Sequence, residues 1–505
     1  MNRRTLVALA GAGSAAMVAG GSRVAAQEQA AGTLVIGTSA EADGYDPAVV
    51  TAASSTDLLS VVYDRLVRID GDGQPQPDLA ESWEHPDDLT YTFTLRGGVI
   101  FHDGRLMAAD DVRYTFERIK DPATESPWAS QFEPVASVES DGVRTVTFTL
   151  SAPYGPFLAI LAATYASIVP KREPAVDFGT TMVGTNAFRI DSVKPNEETV
   201  LVRHDGYWQA DTPKLDMVTY RILPDEAARL TAIQAGDVGL TILSDPGSVE
   251  SATASDGLGV IEQETTDAYL LGLNCAKAPF DARPVRQALS KAIDRQAIVD
   301  TVLSGRGRVT GPLAPTLGDW AQPVEQMPNY EVDTEGARDL IEEAGQGGLT
   351  FRILVGRLYP ELVTIAQMIR DQLKGIGVTV EVEAVKWGTF IERIKRRDFD
   401  AFVGVNESGN DPDRALYPSF HSSGPLNVFQ FASEEVDSLL ETGRTTSDRE
   451  ARKGTYQQLV VELANEAPAI FISTRVVTFA ARDTVTGFMP TASQTWDTLK
   501  TTSVS

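Results

Sequence analysis

Between residues 351 and 405 the apolar positions change period four times, and this alternation limits the fold more than any other feature of the chain. Residues 351–355 form a short apolar run of strand type. Leu362, Ile365, Ala366, Ile369 and Leu373 then recur at helical spacing and stop at Gly375. Residues 378–382 read as a second strand, a further helix follows Trp387, and residues 399–405 read as a third strand. Strands alternating with helical patterns of this length build βαβ units on a parallel sheet, whose strand ends open on a crevice where ligands bind. Two more helices precede this run. Pro284 opens one, with Val285, Ala288, Leu289, Ala292 and Ile293 on a single face; Thr334 is placed to cap the other, which carries Ala337, Leu340, Ile341 and Ala344 and stops at Gly345.

The first half has a different character. Residues 33–37 read as a buried strand, followed by a loop to Pro47. Residues 91–95 and 145–150 show strict period-two alternation, the mark of half-buried strands. Between them Asp110 and Asp111 stand at the start of a helix, where the helix dipole favours negative charge. Residues 70–180 therefore read as a small α+β unit, and the mixed α/β chain of 505 residues is long enough for two to four domains.

The N-terminus carries an export signal. Arg3-Arg4 precedes a weakly apolar Ala/Gly run, and Val24-Ala25-Ala26 offers small residues ahead of Gln27. The run is too short and glycine-rich for a membrane anchor, and the paired arginines favour the twin-arginine route. Cleavage after residue 26 removes three arginines and no acid, which moves the formal net charge from −26 to about −29. So acidic a surface argues against nucleic acid and anionic lipid as partners. Cys275 is the single cysteine, so no intrachain disulfide forms, and its apolar surroundings mark a core thiol, not a nucleophile. His85, His102, His204 and His421 lack the spacing of a metal site, and no cofactor motif is present.

Several segments, in order, resemble the dipeptide, oligopeptide and nickel class of ABC-importer binding proteins, family 5. They are Pro77-Asp78-Leu79-Ala80-Glu81-Ser82-Trp83, Leu95-Arg96-Gly97-Gly98 through His102-Asp103-Gly104, Asp205-Gly206-Tyr207-Trp208, Pro279-Phe280-Asp281-Ala282-Arg283-Pro284-Val285-Arg286, and Asp411-Pro412-Asp413 with Asn427. Most are turn and packing chemistry, His102 included. Gly184-Thr185-Asn186-Ala187-Phe188 departs from the family's Gly-Thr-Gly-Pro-Phe.

The resemblance implies a two-lobed periplasmic binding protein with a hinged cleft and an extra inserted domain. Domain I would comprise 27–70, 181–262 and 481–505, domain II would be 71–180, and domain III would be the α/β lobe 263–480. It further implies an exported, monomeric, non-enzymatic receptor that captures a short peptide or other small solute and docks on the permease subunits of an ABC importer. In dipeptide-binding relatives an arginine anchors the ligand carboxylate and an aspartate its ammonium. Arg357 matches the first, with Tyr359 beside it; a surface arginine is the rival reading. Trp387 matches a ligand-packing tryptophan, with core packing as its rival. The ammonium position falls on Ser408, next to Glu407, and Asp411 reads as a capping residue before Pro412. Glu41 and Tyr45, after the first strand, complete the candidates by position. An exported hydrolase and a passive chaperone-like protein are the rival functions. No nucleophile elbow or His-Glu-x-x-His motif supports the first, and an intact cleft argues against the second.

Overall fold

The computed structural model describes residues 32–71, 73–171 and 177–505; the leader expected at 1–26 lies outside them. Strand β1 (Thr33–Thr38) buries Leu34 and Ile36 and leads through a loop to the helix Ala53–Val62. A short ribbon, β2 (Val67–Ile69) and β3 (Pro75–Pro77), enters an antiparallel sheet of β4 (Ala80–Asp87), β5 (Thr90–Leu95), β6 (Val135–Ser140) and β7 (Thr145–Leu150), ordered β4-β5-β7-β6. The alternation read in β5 and β7 has a direct outcome. Phe93 and Phe148 turn inward edge to face at 5.6 Å, and Phe116 of the helix Ala109–Lys120 meets Phe148 at 5.0 Å.

The chain then adds β8 (Phe188–Lys194), β9 (Glu198–Arg203), β10 (Met217–Ile222) and β11 (Leu240–Leu243) around β1. Next come the long strand β12 (Leu258–Leu273), then β13 (Thr350–Gly356), β14 (Thr379–Val385), β15 (Ala401–Asn406) and the long returning strand β16 (Ala469–Arg482). A last ribbon pairs β17 (Val485–Thr486) with β18 (Ser503–Val504). The ten-stranded sheet runs β14-β13-β15-β12-β16-β11-β1-β10-β9-β8. As the periodicity predicts, β13 lies parallel to both β14 and β15, and the helix Pro360–Leu373 connects β13 to β14.

Two boundaries are corrected. The helix Thr334–Glu343 is capped by Asp333, whose carboxylate accepts from the Gly336 N–H, so Thr334 is already inside it. The helix ending at Leu373 runs on as a 3-10 turn, Lys374–Ile376, and the left-handed stop falls on Gly377 (φ 78°), not Gly375. Cys275 is half-buried, not fully so; burial still pushes its thiol up to about 11, far from nucleophile range.

Strands β12 and β16 are the members shared by both halves of the sheet: β16 pairs with β11 at one end, and β12 pairs with β15 at the other. Their ladder shifts register twice, between Glu264 and Ala268 and again between Tyr269 and Leu270, and the first break is the wider. Glu264 faces Val476 and Ala268 faces Thr474, so residues 265–267 oppose Arg475 alone. Such a bulge bends the strand and re-aims its side chains.

The recurring motifs prove to be scaffold. Asp78 is buried and accepts from the Arg65 N–H at 3.3 Å, while the buried Arg65 guanidinium grips Asp497 with two bonds of 2.8 and 2.9 Å. His102 accepts from Gly184 N at Nδ1 (3.2 Å) and its Nε2 lies 2.9 Å from the Asn186 carbonyl; burial pushes its imidazole down to about 3. Asn186, at the departing motif, donates to the carbonyls of Ser60 and Tyr63 at 3.0 Å, and so closes the end of the helix Ala53–Val62.

Candidate ligand-binding site

A cavity of about 520 Å³ lies where these parts meet. One wall is the loop after β1, the helix Ala53–Val62 and Tyr220 of β10. The small sheet unit contributes Trp128 and Tyr165, and the α/β part contributes Tyr359, Glu407, residues 409–411, Asp413 and Arg414. The bulge and the segment from Phe488 to Trp496 form the floor.

The carboxylates on this wall separate by their partners. Asp411 caps the helix Pro412–Phe420, as its place before Pro412 suggests, and closes a bidentate pair with Arg452 at 2.6 and 2.7 Å. Asp413 closes another with Arg444 at 2.8 and 3.0 Å. Both are spent on structure. Asp267, on the bulge, is not. It is buried, accepts 2.9 Å from the Gln494 amide and 3.4 Å from the Ser408 N–H, and stands 3.9 Å from Arg475, a loose ion pair too long for a direct hydrogen bond. Burial, and then the charge of Glu407, pushes its carboxyl up, against the pull of Arg475. Arg475 loses stability as a cation through burial, but the neighbouring Tyr269 and Asp267 outweigh this and raise it.

The C-terminal loop holds the bulge in place. Thr266 N–H donates to the Ala492 carbonyl at 3.2 Å, and Gln494 reaches Asp267 from a left-handed backbone (φ 60°) that non-glycine residues rarely adopt.

Of the seven residues singled out from sequence, the cavity wall includes Tyr359 and Glu407. Glu407 follows β15, is exposed, and has no ion-pair partner among the described residues. Ser408 is buried behind it, its hydroxyl 3.5 Å from the Asn406 amide. Trp387 stands behind Tyr359, meeting it edge to face at 5.3 Å and stacking on Phe390 at 5.2 Å. It also lies over Gly356, where any Cβ would approach within 2.6 Å of its ring. Arg357 is exposed just after β13, two residues from Tyr359, with its side chain unpaired among the described residues. Glu41 accepts from the Asn196 N–H of the β8–β9 turn at 2.9 Å, and Tyr45 packs against the core.

Asp57, Asp267, Tyr220 and Arg475 were not singled out. The one trace of them is Thr265-Thr266-Asp267, a polar triplet ahead of an apolar strand run. Among the described residues no cluster suits a metal ion.

The model of the bacterial extracellular solute-binding proteins, family 5, matches residues 74–427. The chain belongs to that family. The family 5 receptor is 31% identical over 466 residues to heme-binding protein A of Haemophilus influenzae, covering 85% of this chain and 84% of the relative. It is 28% identical over 506 residues to the dipeptide-binding protein of Escherichia coli, covering 92% and 93%. The crystal structure of a dipeptide-binding protein from Pseudoalteromonas sp. SM9913 in complex with Met-Leu superposes with a TM-score of 0.80 at 26% identity, covering 94% of this chain and all of that one. The expected two-lobed binding-protein architecture is thereby established. As a family 5 receptor, the protein captures a small solute outside the cytoplasm and delivers it to an ABC-type importer. Among the described residues no helix is long and apolar enough to cross a membrane.

Proposed function

We propose that the receptor binds a short peptide or similar zwitterionic solute, with Arg475 taking the anionic end and Asp267 with Glu407 the cationic end. The observation that carries this reading is the open Arg475–Asp267 pair at 3.9 Å on the cavity wall, where the neighbouring Asp–Arg pairs are closed. A guanidinium and a carboxylate held apart in a partly dry site each keep hydrogen-bonding capacity for a ligand. The cavity volume falls within the roughly 300–1,000 Å³ of ordinary small-molecule sites. The Met-Leu complex of the Pseudoalteromonas relative supports the ligand class. Tyr359 covers the site beside Arg357, which we assign as a second anionic anchor for ligands long enough to reach the end of β13.

The same proposal includes export by the twin-arginine signal, cleavage after Ala26, action as a single periplasmic chain, and no catalysis. Domain I (27–70, 181–262, 481–505), domain II (71–180) and domain III (263–480) are the proposed rigid parts. His102, as described above, and His204, whose Nε2 lies 3.0 Å from the Ile100 carbonyl, are held by backbone partners, which supports a purely binding role.

Isothermal titration with a dipeptide panel tests the assignment. Arg475→Ala is expected to lower affinity at least about thirtyfold, since removing one partner of a buried charged contact costs about 2 kcal/mol or more. Arg357→Ala should cost less on dipeptides than on tripeptides. Full affinity in the Arg475→Ala protein would overturn the assignment. N-terminal sequencing of the exported protein should begin at Gln27.

A further inference from the structure

One carboxylate on the cavity wall lies in a different part of the wall from the Arg475–Asp267 pair. Asp57 is on the helix Ala53–Val62 and lines the cavity, and no cation among the described residues is within ion-pair reach of it. Among the described residues its side-chain partner is the Trp496 indole. Three arginines among the described residues line the cavity: Arg475 stands by Asp267, Arg414 lies over the Trp128 and Tyr165 rings, and Arg229 is committed, its guanidinium donating to the carbonyls of Leu223 (2.8 Å), Pro224 (3.0 Å) and Ile242 (3.2 Å). Tyr220 lines the same wall, is 6% exposed, and its hydroxyl has no hydrogen-bond partner among the described residues. A buried hydroxyl left without a partner costs stability unless something arrives to meet it.

The surroundings are aromatic. Trp496 stands 5.9 Å from Tyr220, 5.7 Å from Phe479 and 5.4 Å from Phe488, and all four rings line the cavity. The arrangement is held from behind: the Ser60 hydroxyl donates to the Asp57 carbonyl at 2.7 Å and accepts from the Trp496 N–H at 3.1 Å. A carboxylate without an ion-pair partner among the described residues, beside aromatic rings, suits an organic cation, which gains the ion pair and contact with the rings. An anionic group would face Asp57 with no compensating charge.

We propose that Asp57, Tyr220 and the Trp496 ring form a second subsite that takes the side-chain ammonium or guanidinium of the ligand. This deepens the zwitterion reading and rests on it: the backbone ends would sit at Arg475 and Asp267, and a basic side chain at Asp57. Burial, which pushes the Asp57 carboxyl up to about 7, fits a site whose counter-charge comes with the ligand.

Calorimetric titration with Gly-Lys and its neutral isostere Gly-norleucine tests the subsite. The wild-type protein should prefer Gly-Lys at least about tenfold, the worth of one partly desolvated ion pair. Asp57→Asn should abolish the preference while leaving Gly-norleucine affinity within about twofold, and Tyr220→Phe should weaken Gly-Lys alone. Equal wild-type affinity for the two probes would overturn the subsite and leave the zwitterion reading standing. If neither dipeptide binds, the zwitterion reading fails, and n-butylguanidinium decides the subsite. It supports the subsite if it raises the melting temperature of wild type and not of Asp57→Asn, and overturns it otherwise.

Discussion

At the scale of single residues, this receptor separates structural charge from available charge. Asp64 belongs to the first kind. It is buried under Thr185, Trp208 and Tyr207, with hydrogen bonds of 2.9, 3.3 and 3.5 Å, and burial followed by the charge of Asp78 pushes it up to about 7. Asp57 shares that value. Both groups hold a proton more tightly folded than unfolded, so their contribution to stability is full below about pH 4 and is lost as pH rises through 7. The melting temperature should therefore fall by a few degrees between pH 5.5 and pH 8. Calorimetry of Asp64→Asn should show a shallower fall, and an unchanged slope would exclude Asp64 as a source. Residue by residue, the sequence exposed part of the site. Tyr359 and Glu407 were legible because they follow strands in an α/β pattern, where ligand loops belong. Asp57 and Arg475 were not, because one looks like an ordinary polar position on a helix and the other sits inside a strand. What makes them available is the absence of a tight ion pair among the described residues, which only the assembled walls reveal.

At the scale of elements, the βαβ run and the small sheet were readable because period and punctuation agree there. The bulge was hidden. It depends on β12 having three residues where β16 has one, a mismatch between strands more than 200 positions apart. The C-terminal loop was hidden too, since its role lies in the bonds from Thr266 to Ala492 and from Gln494 to Asp267. Gln494→Gly separates support of the bulge from general stability. Glycine relaxes the left-handed backbone but removes the amide, so ligand affinity should drop about fivefold, the worth of one hydrogen bond near 1 kcal/mol. The melting temperature should hold, as differential scanning fluorimetry will check. A matching loss of stability would mean that the loop acts as scaffold alone.

At the scale of the whole molecule, the small sheet unit touches the α/β part beside the cavity. Gly155 N–H donates to the Arg444 carbonyl at 2.8 Å, and a Cβ there would come within 2.4 Å of the Thr446 carbonyl and 2.7 Å of Arg452. Arg452 cannot yield, being pinned by Asp411. Gly155→Ala should disfavour this closed arrangement, weaken ligand binding about tenfold, and enlarge the ligand-saturated radius of gyration in small-angle scattering. An unchanged radius and affinity would show that the contact is incidental to closure. The floor of the cavity carries one more consequence. Residues 488–496 leave the ribosome after every other part of the wall, and they supply both the Gln494 support and the Trp496 ring. A nascent chain therefore has no finished site while the rest of its wall is being made, and the ability to hold solute arrives in a single late step of synthesis.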